Sequence, residues 1–283
     1  MNIPDLGKRP LVMGIINVTP DSFSGDGVMA QENYIEAAAA MAQSMIGEGA
    51  DILDVGGESS RPGAAQVSAE EEIRRVVPVI SAIKKMSDAP PIAVDTIKAK
   101  VARAAMAAGA MIINDISALQ ADAGMAKLAA ERGAHVVLMH NRGATAMADA
   151  RIGGEYKAPD YGDVVEDVAN DLAARIAAAR NAGIAADKII ADPGLGFGKT
   201  VAQNCALINH LGRLKARLGC PIMIGPSRKS FIGRALDLPV DERLEGTAAA
   251  VAAGVLHGAD IVRVHDVKFI ARVVKMAAAI AKS

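Results

Sequence analysis

The chain of 283 residues contains no tryptophan, three tyrosines, four phenylalanines and two cysteines. Aromatic platforms on which bases or sugars stack are therefore scarce, and Phe23 and Phe197, which fall close to the ends of apolar runs, gain interest from that scarcity. Cys205 and Cys220 form no C-x-x-C pair and cannot build a disulfide framework in a chain of this size, so free thiols in a reducing compartment are expected. An excess of either charge sign is also missing: 31 Lys and Arg face 32 Asp and Glu, for a net charge of -1. This balance argues against nucleic acid or an anionic membrane as the main partner. No apolar run reaches the length of a membrane span, and the opening MNIPDLGKRP lacks the apolar core of a signal peptide. A cytoplasmic protein is the expectation.

What the chain has is apolar bulk and a repeated punctuation. Hydrophobic residues make up 51% of it and charged ones 22%, enough for a sizeable core. Eight short apolar runs, rich in β-branched residues, occupy 11–18, 51–57, 91–96, 111–117, 135–140, 188–194, 221–227 and 261–266. Between them lie stretches of helical period. From Glu32 to Glu48, apolar residues recur at Ile35, Ala38, Ala39, Ala42, Met45 and Ile46. Another stretch opens with Ser68 and Glu71 in capping-box spacing. Continuous apolar strands are buried on both faces, which suits a parallel sheet covered by helices. Eight such units predict a single α/β domain over 1–283, a (β/α)8 TIM barrel, with an open doubly wound sheet as the alternative.

The segment ADPGLGFGKT (191–200) resembles a phosphate-binding P-loop and then fails at one position. With Gly198-Lys199-Thr200 at its end, the opening glycine would have to be residue 193, which is Pro193. Proline removes a backbone donor where the loop needs one. Glycines at 194, 196 and 198 do not fit G-x-G-x-x-G either. What remains is a strand ending on Asp192, at the position where a barrel presents functional groups.

Polar residues collect at all eight such positions. They are Asn17, Glu58 to Gly63, Asp95-Thr96, Asn114-Asp115, Met139-His140, Asp192, Ser227-Arg228-Lys229, and Arg263 with His265 and Asp266. An Asp or Ser at one strand end is as often a cap for the next helix, and that reading stays open for Asp95 and Asp266 taken singly. Eight together predict a site for a polar, anionic small molecule.

The segments NVTPDSFSGDG (17–27), DVGGESSRPGA (54–64), VDT (94–96), INDIS (113–117), DPGLGFGK (192–199), GPSRKSFIG (225–233) and RVHD (263–266), taken in this order, resemble the dihydropteroate synthase family. The resemblance implies a TIM barrel that joins 6-hydroxymethyl-7,8-dihydropterin diphosphate to 4-aminobenzoate, giving 7,8-dihydropteroate and pyrophosphate, in a homodimer that sulfonamides target. It implies a pterin pocket of Asp95, Asn114, Ile116, Met139, Asp192, Phe197 and Lys229. Asn17, Arg61, Arg263 and His265 would meet the diphosphate, with Asn17 helping to bind Mg2+. Phe23, Ser60, Arg61, Pro62 and Ser230, the last at the start of a helix, would surround 4-aminobenzoate. Asp95, Lys229, Arg263 and His265 are the expected catalytic set. The chemistry of these residue types agrees: a carboxylate accepts two bonds from an N-C-N edge, and an arginine fork fits phosphate oxygens.

Three departures from the family pattern are visible: ESSRPG for ESTRPG, SFSGDG for SFSDGG, and MHNRG for MHMRG. The first removes a methyl at Ser60, and the second moves Asp26 by one position. The alternatives are a pterin-binding methyltransferase of the same superfamily, which needs neither the SRKSF nor the R-x-H-D segment, and a non-catalytic pterin-binding paralogue.

Overall fold

The structure is a computed structural model that describes residues 2–19, 29, 33–59, 66–142 and 160–283. Every apolar run becomes a strand: β1 (Leu11–Asn17), β2 (Ile52–Gly56), β3 (Ile92–Asp95), β4 (Ile112–Asp115), β5 (His135–Met139), β6 (Ile189–Asp192), β7 (Met223–Ile224) and β8 (Ile261–Val264). All pairings are parallel, in the order β6-β5-β4-β3-β2-β1-β8-β7. A parallel bridge between Ala191 and Ile222 joins the two ends, so the sheet closes into a barrel. The open-sheet alternative is thereby excluded.

Helices return the chain on the outside: α1 (Tyr34–Glu48), α2 (Ala69–Lys84), α3 (Ala99–Ala108), α4 (Met125–Arg132) and α5 (Val164–Asn181). After β6 the return is split into α6 (Val201–Asn209) and α7 (Leu211–Leu218), and after β7 into α8 (Ser230–Leu236) and α9 (Leu244–Leu256); α10 (Val267–Ile280) follows β8. In α1, Ala38, Ala42 and Met45 are the buried positions, four and three residues apart, and Gly49 ends the helix at φ 104°, where a Cβ is strained. The Ser68 hydroxyl caps α2 by accepting from Glu71 N. The Glu71 carboxylate, however, bonds Arg74 and Arg75.

Strand residues facing outward, such as Leu53, Val55, Val94 and Ile113, join the helices in one large core. Residues facing inward form a second, separate cluster of Leu11, Met13, Ile52, Ala93, Ile112, Val137, Ile190, Met223 and Ile261, closed from below by Ile3. Each fully buried Ile or Leu here contributes about 1.5–3 kcal/mol. Arg9, bidentate on Asp51 at 3.1 and 2.6 Å, ties the segment that carries Ile3 to the barrel. A strand alternates with period two, so the residue two positions after each of these also faces inward, one level higher. At that level the chemistry changes.

Candidate active site

Two residues beyond Ile52, Ala93, Ile112, Val137, Ile190 and Ile261 stand Asp54, Asp95, Asn114, Met139, Asp192 and Arg263. The barrel brings them together across its lumen. Arg263 donates from Nε to Asp54 Oδ2 at 2.6 Å and from Nη2 to Asp95 Oδ2 at 2.7 Å. Asn114 Nδ2 donates to the same Asp54 oxygen at 3.0 Å. Burial opposes the charge on Arg263, but Asp54 and Asp95 raise its pKa overall. Burial pushes the Asp95 carboxyl up to about 7, with Asp54, Glu72 and Asp115 adding to the effect and Arg263 opposing it. Asp95 does not cap the following helix. The turn there is held by Thr96 Oγ1, which accepts from Lys98 N at 3.2 Å. Asp115 faces away from the lumen and is occupied by Ser117 N, Ser117 Oγ and Leu119 N.

Asp192 ends β6 buried, and its Oδ1 accepts from Gly194 N at 2.7 Å. Burial raises its pKa against Lys229, the Gly194 donor, Lys199 and Arg263. The glycines of the loop beyond it have steric reasons. Gly194, at φ 68°, would put a Cβ 1.9 Å from the His140 carbonyl oxygen, and Gly196, at φ 82°, would put one 2.7 Å from Lys229 Cδ. Lys199, the lysine of the failed P-loop, is buried and turns back into the loop, donating to Gly194 O at 2.9 Å and Phe197 O at 3.0 Å. Burial lowers its pKa to about 7, helped by Lys229 and opposed by Asp192. Thr200 begins α6 with a complete capping box shared with Gln203. Asn204, fully buried, accepts from Gly196 N and donates to Lys199 O and Thr200 O, which fixes the loop from beneath.

Lys229, at the end of the β7 segment, reaches over the Phe197 ring at 4.5 Å and donates to Leu195 O. Burial lowers its pKa to about 8, with Arg263 adding and Asp192 and Asp95 opposing. The adjacent Arg228 has φ 56° and grips Asp266 with Nε at 3.0 Å and Nη2 at 2.6 Å. Asp266 is thus a partner for Arg228, and its side chain makes no cap for α10. His265 Nδ1 lies 2.9 Å from Ser227 Oγ, which also accepts from His265 N at 3.2 Å. Ser230, exposed, is the first residue of α8.

Of the remaining expected residues, Asn17 is half-buried at the top of β1, Ile116 is half-buried after β4, and Met139 and Phe197 are buried. Phe23, Ser60, Arg61 and Pro62 lie outside the described residues, as does Asp26. The stem of the segment after β2 is described: Glu58 accepts from Val67 N at 3.0 Å and pairs with Lys98, which also meets the fully buried Glu72 at 2.6 Å. Beside β6, His140 Nε2 and Arg142 Nε both meet Asp171 Oδ2, at 3.1 and 2.7 Å. Burial, aided by Lys199, holds the His140 imidazole down at about 4.

Two central residues, Asp54 and Lys199, carry little signal of their own in the sequence. Asp54 sits in the middle of an apolar run, and its signal is register: an acidic residue on the inward row, two before Gly56. Lys199 stands in the sequence only as the lysine of a P-loop pattern that fails at Pro193.

A family model described as "Pterin binding enzyme" matches residues 13–265. The dihydropteroate synthase of Clostridium beijerinckii is 49% identical over 273 residues, covering 96% of this chain and 94% of that protein. Among solved structures, the dihydropteroate synthase of Clostridium difficile in the presence of pteroic acid superposes with a TM-score of 0.87 at 41% identity, covering 99% of each chain. That of Xanthomonas albilineans with 4-aminobenzoic acid gives a TM-score of 0.86 at 42% identity, covering 99% of this chain and 98% of that one. With a lumen crossed by Arg263 between two aspartates, and these relatives along its whole length, the chain belongs to the pterin-binding enzymes and, within them, to the dihydropteroate synthases, which transfer a pterinylmethyl group in folate biosynthesis.

Proposed function

We propose that the upper half of the lumen holds the dihydropterin and that the ends of β1 and β8 hold its diphosphate. The observation that carries this reading is the convergence of Asp95, Asn114 and Arg263 in one hydrogen-bonded set, beside the buried Asp192 and the half-buried Lys229. Asp192 keeps acceptor capacity beyond its bond to Gly194 and would take two N–H groups of the ring's N-C-N edge. Asn114 serves the mixed part of that edge, and the Lys229 ammonium serves the carbonyl oxygen and ring nitrogen opposite. Ile116, Met139 and Phe197 supply apolar contact to the ring. Arg263 of β8 and His265, one residue past the end of that strand, serve the leaving group together with Asn17 and Arg61. Ser230 takes the carboxylate of 4-aminobenzoate, with Phe23, Ser60, Arg61 and Pro62 around its ring. Sulfonamides, which share that shape, would compete there.

In the reaction the bond from the exocyclic CH2 to the diphosphate oxygen breaks and its electron pair leaves with the diphosphate. The ring donates electron density to the carbon, and Asp95 offsets the positive charge that develops. The arylamine lone pair then forms the C–N bond, and the nitrogen proton passes to solvent. An arylamine is already nucleophilic, so the protein needs no activated serine or cysteine. Its work is electrostatic: to hold the departing charge and to tolerate the cation.

Mg2+ fits this reading as an ion that arrives with the diphosphate. Asn17 offers one hard amide oxygen, and among the described residues no group of three or more His, Cys, Asp or Glu side chains is placed to hold an ion unaided. Such a donor set suits a cation that takes most ligands from phosphate and water. When bound, the ion offsets the charge of the leaving group.

We assign the homodimer contact to the outer face of α9 and α10. Phe269, Met276 and Ile280, spaced seven and four along α10, are 53%, 61% and 51% exposed, and Leu256 of α9 is 45% exposed. Phe269→Ser with Met276→Ser should shift the sedimenting species from dimer to monomer; an unshifted dimer would place the contact elsewhere. Free Cys205 and Cys220 and the lack of any helix long and apolar enough to cross a membrane among the described residues fit a cytoplasmic enzyme.

The direct test is incubation of purified protein with the pterin diphosphate, 4-aminobenzoate and Mg2+, followed by detection of dihydropteroate. Pterin binding without product would favour the non-catalytic alternative.

A further inference from the structure

Asp54 has no role in the scheme above, yet it is completely buried at the level where the lumen turns polar. Its Oδ2 accepts from both Arg263 Nε and Asn114 Nδ2, and its Oδ1 has no hydrogen-bond partner among the described residues. Stability alone gives no reason for such a group. Apolar side chains fill Ile52 directly below and Ala93 alongside, and a well-packed apolar residue is commonly as stable as a buried ion pair.

The position does constrain its neighbours. An ionised carboxylate only accepts hydrogen bonds, so the end of the Asn114 amide that faces Asp54 must be the NH2, and the carbonyl oxygen is turned the other way. The Arg263 guanidinium, held by Nε on β2 and by Nη2 on β3, is fixed in its plane from two strands.

We propose that Asp54 is a positioning residue: it sets the Asn114 amide so that an acceptor oxygen faces the pterin, and it locks the plane of Arg263, which meets the diphosphate. The proposal rests on the assignment of the lumen to the pterin. A second consequence follows from charge. Asp95 is faced by Asp54 from β2, Glu72 from α2 and Asp115 from β4, all of which raise its pKa, by Arg263 from β8, which lowers it, and by Lys229 after β7, on which Asp95 in turn acts. Removing the charge of Asp54 therefore lets Asp95 ionise at a lower pH.

The test is Asp54→Asn, which keeps the shape, with Asp54→Ser as a smaller second variant that leaves room for water; thermal melting checks that each is folded. Titration with 6-hydroxymethyl-7,8-dihydropterin should show affinity reduced by roughly 10- to 100-fold, the scale of a lost hydrogen bond to a charged group. The KM for 4-aminobenzoate at saturating pterin diphosphate should stay within about twofold of wild type. The acid limb of the pterin-binding pH profile should move to lower pH. Unchanged pterin affinity with an unmoved acid limb would overturn the proposal, as would equal losses for both substrates. Failure of both variants to fold would assign Asp54 to the fold and overturn it as well. Wild type in the same titration separates the two levels, since its failure to bind the dihydropterin would remove the pocket assignment on which Asp54 depends.

Discussion

Ile52 and Asp54, Ala93 and Asp95, Ile112 and Asn114, Ile190 and Asp192, Ile261 and Arg263 lie on the same strands and face the same lumen, two residues apart. The lower member of each pair packs into a closed apolar cluster. Of the upper members, Asp54, Asp95, Asn114 and Arg263 join one hydrogen-bonded network, while Asp192 is buried and bonds Gly194 N. The period of a strand cannot distinguish them, so the boundary between scaffold and site is written only in residue type. Substitutions in the lower half should therefore act on stability, and those in the upper half on binding and turnover.

The largest effect is expected at Arg263. Arg263→Ala leaves Asp54 and Asp95 without the cation they share. Turnover should fall by roughly a thousandfold or more, the scale of losing a charge that stabilises the transition state. The diphosphate ester should lose more affinity than the bare pterin, because the missing charge also acts on the leaving group. Titrating both ligands in one series checks this. Equal losses would mean that Arg263 serves the ring, or only its two aspartates, and the division of labour within the upper half would have to be redrawn.

The fold could be read almost entirely from the chain because burial on both faces leaves an unbroken apolar run for each strand. β7 is the exception in length: Pro221 and the Gly225-Pro226 pair flank it, and two residues, Met223–Ile224, pair as strand within an expected run of seven from 221 to 227. The split return after β6 was not legible, since apolar periodicity continues through the turn at His210. The site was legible where residues stand at strand ends, as with Asp95, Asp192 and Arg263. Asp54 was hidden by its place inside a run, because period alone does not say which row faces in. Lys199 and Thr200 show the reverse case, a motif whose residues have plain structural work: one ties the loop carbonyls, the other caps α6. For Phe23 and Ser60 to Pro62 the family resemblance remains the guide.

A pair of substitutions of intermediate size sharpens the comparison. Met13→Ala, in the lower half, opens a cavity in a residue with no exposure and should cost about 2–5 kcal/mol in unfolding free energy. The folded fraction should keep wild-type pterin affinity. Asp192→Asn should do the opposite: pterin affinity weakens by roughly 2–4 kcal/mol, as a donor replaces an acceptor facing a donor. Its unfolding free energy should change less than that of Met13→Ala, because the amide keeps the shape and an oxygen that accepts from Gly194 N. Calorimetry for affinity and urea titration for stability check both. A pterin-binding defect in Met13→Ala, or a large loss of stability in Asp192→Asn, would break the separation.

The last expected effect is a pH dependence confined to the upper half. Burial raises the Asp95 carboxyl from its ordinary 3.8 to about 7 in the folded chain. Between these values the folded state holds a proton that the unfolded state releases, so the folded state binds more protons and stability falls as pH rises. His140 works in the other direction over a similar range, since its pKa is lowered from 6.5 to about 4 and stability from that source rises with pH. The two partly cancel in wild type, so the test must be a difference. Asp95→Asn keeps the shape and cannot titrate. The stability of wild type minus that of Asp95→Asn should therefore decline from about pH 4 to about pH 7 and level off above, because His140 is common to both proteins and drops out. Met13→Ala, measured in the same urea titrations, should show a deficit independent of pH, because a missing side chain in the apolar floor exchanges no proton. A flat difference for Asp95→Asn would mean that Arg263 holds Asp95 ionised throughout, and a sloping one for Met13→Ala would mean that floor and site are coupled.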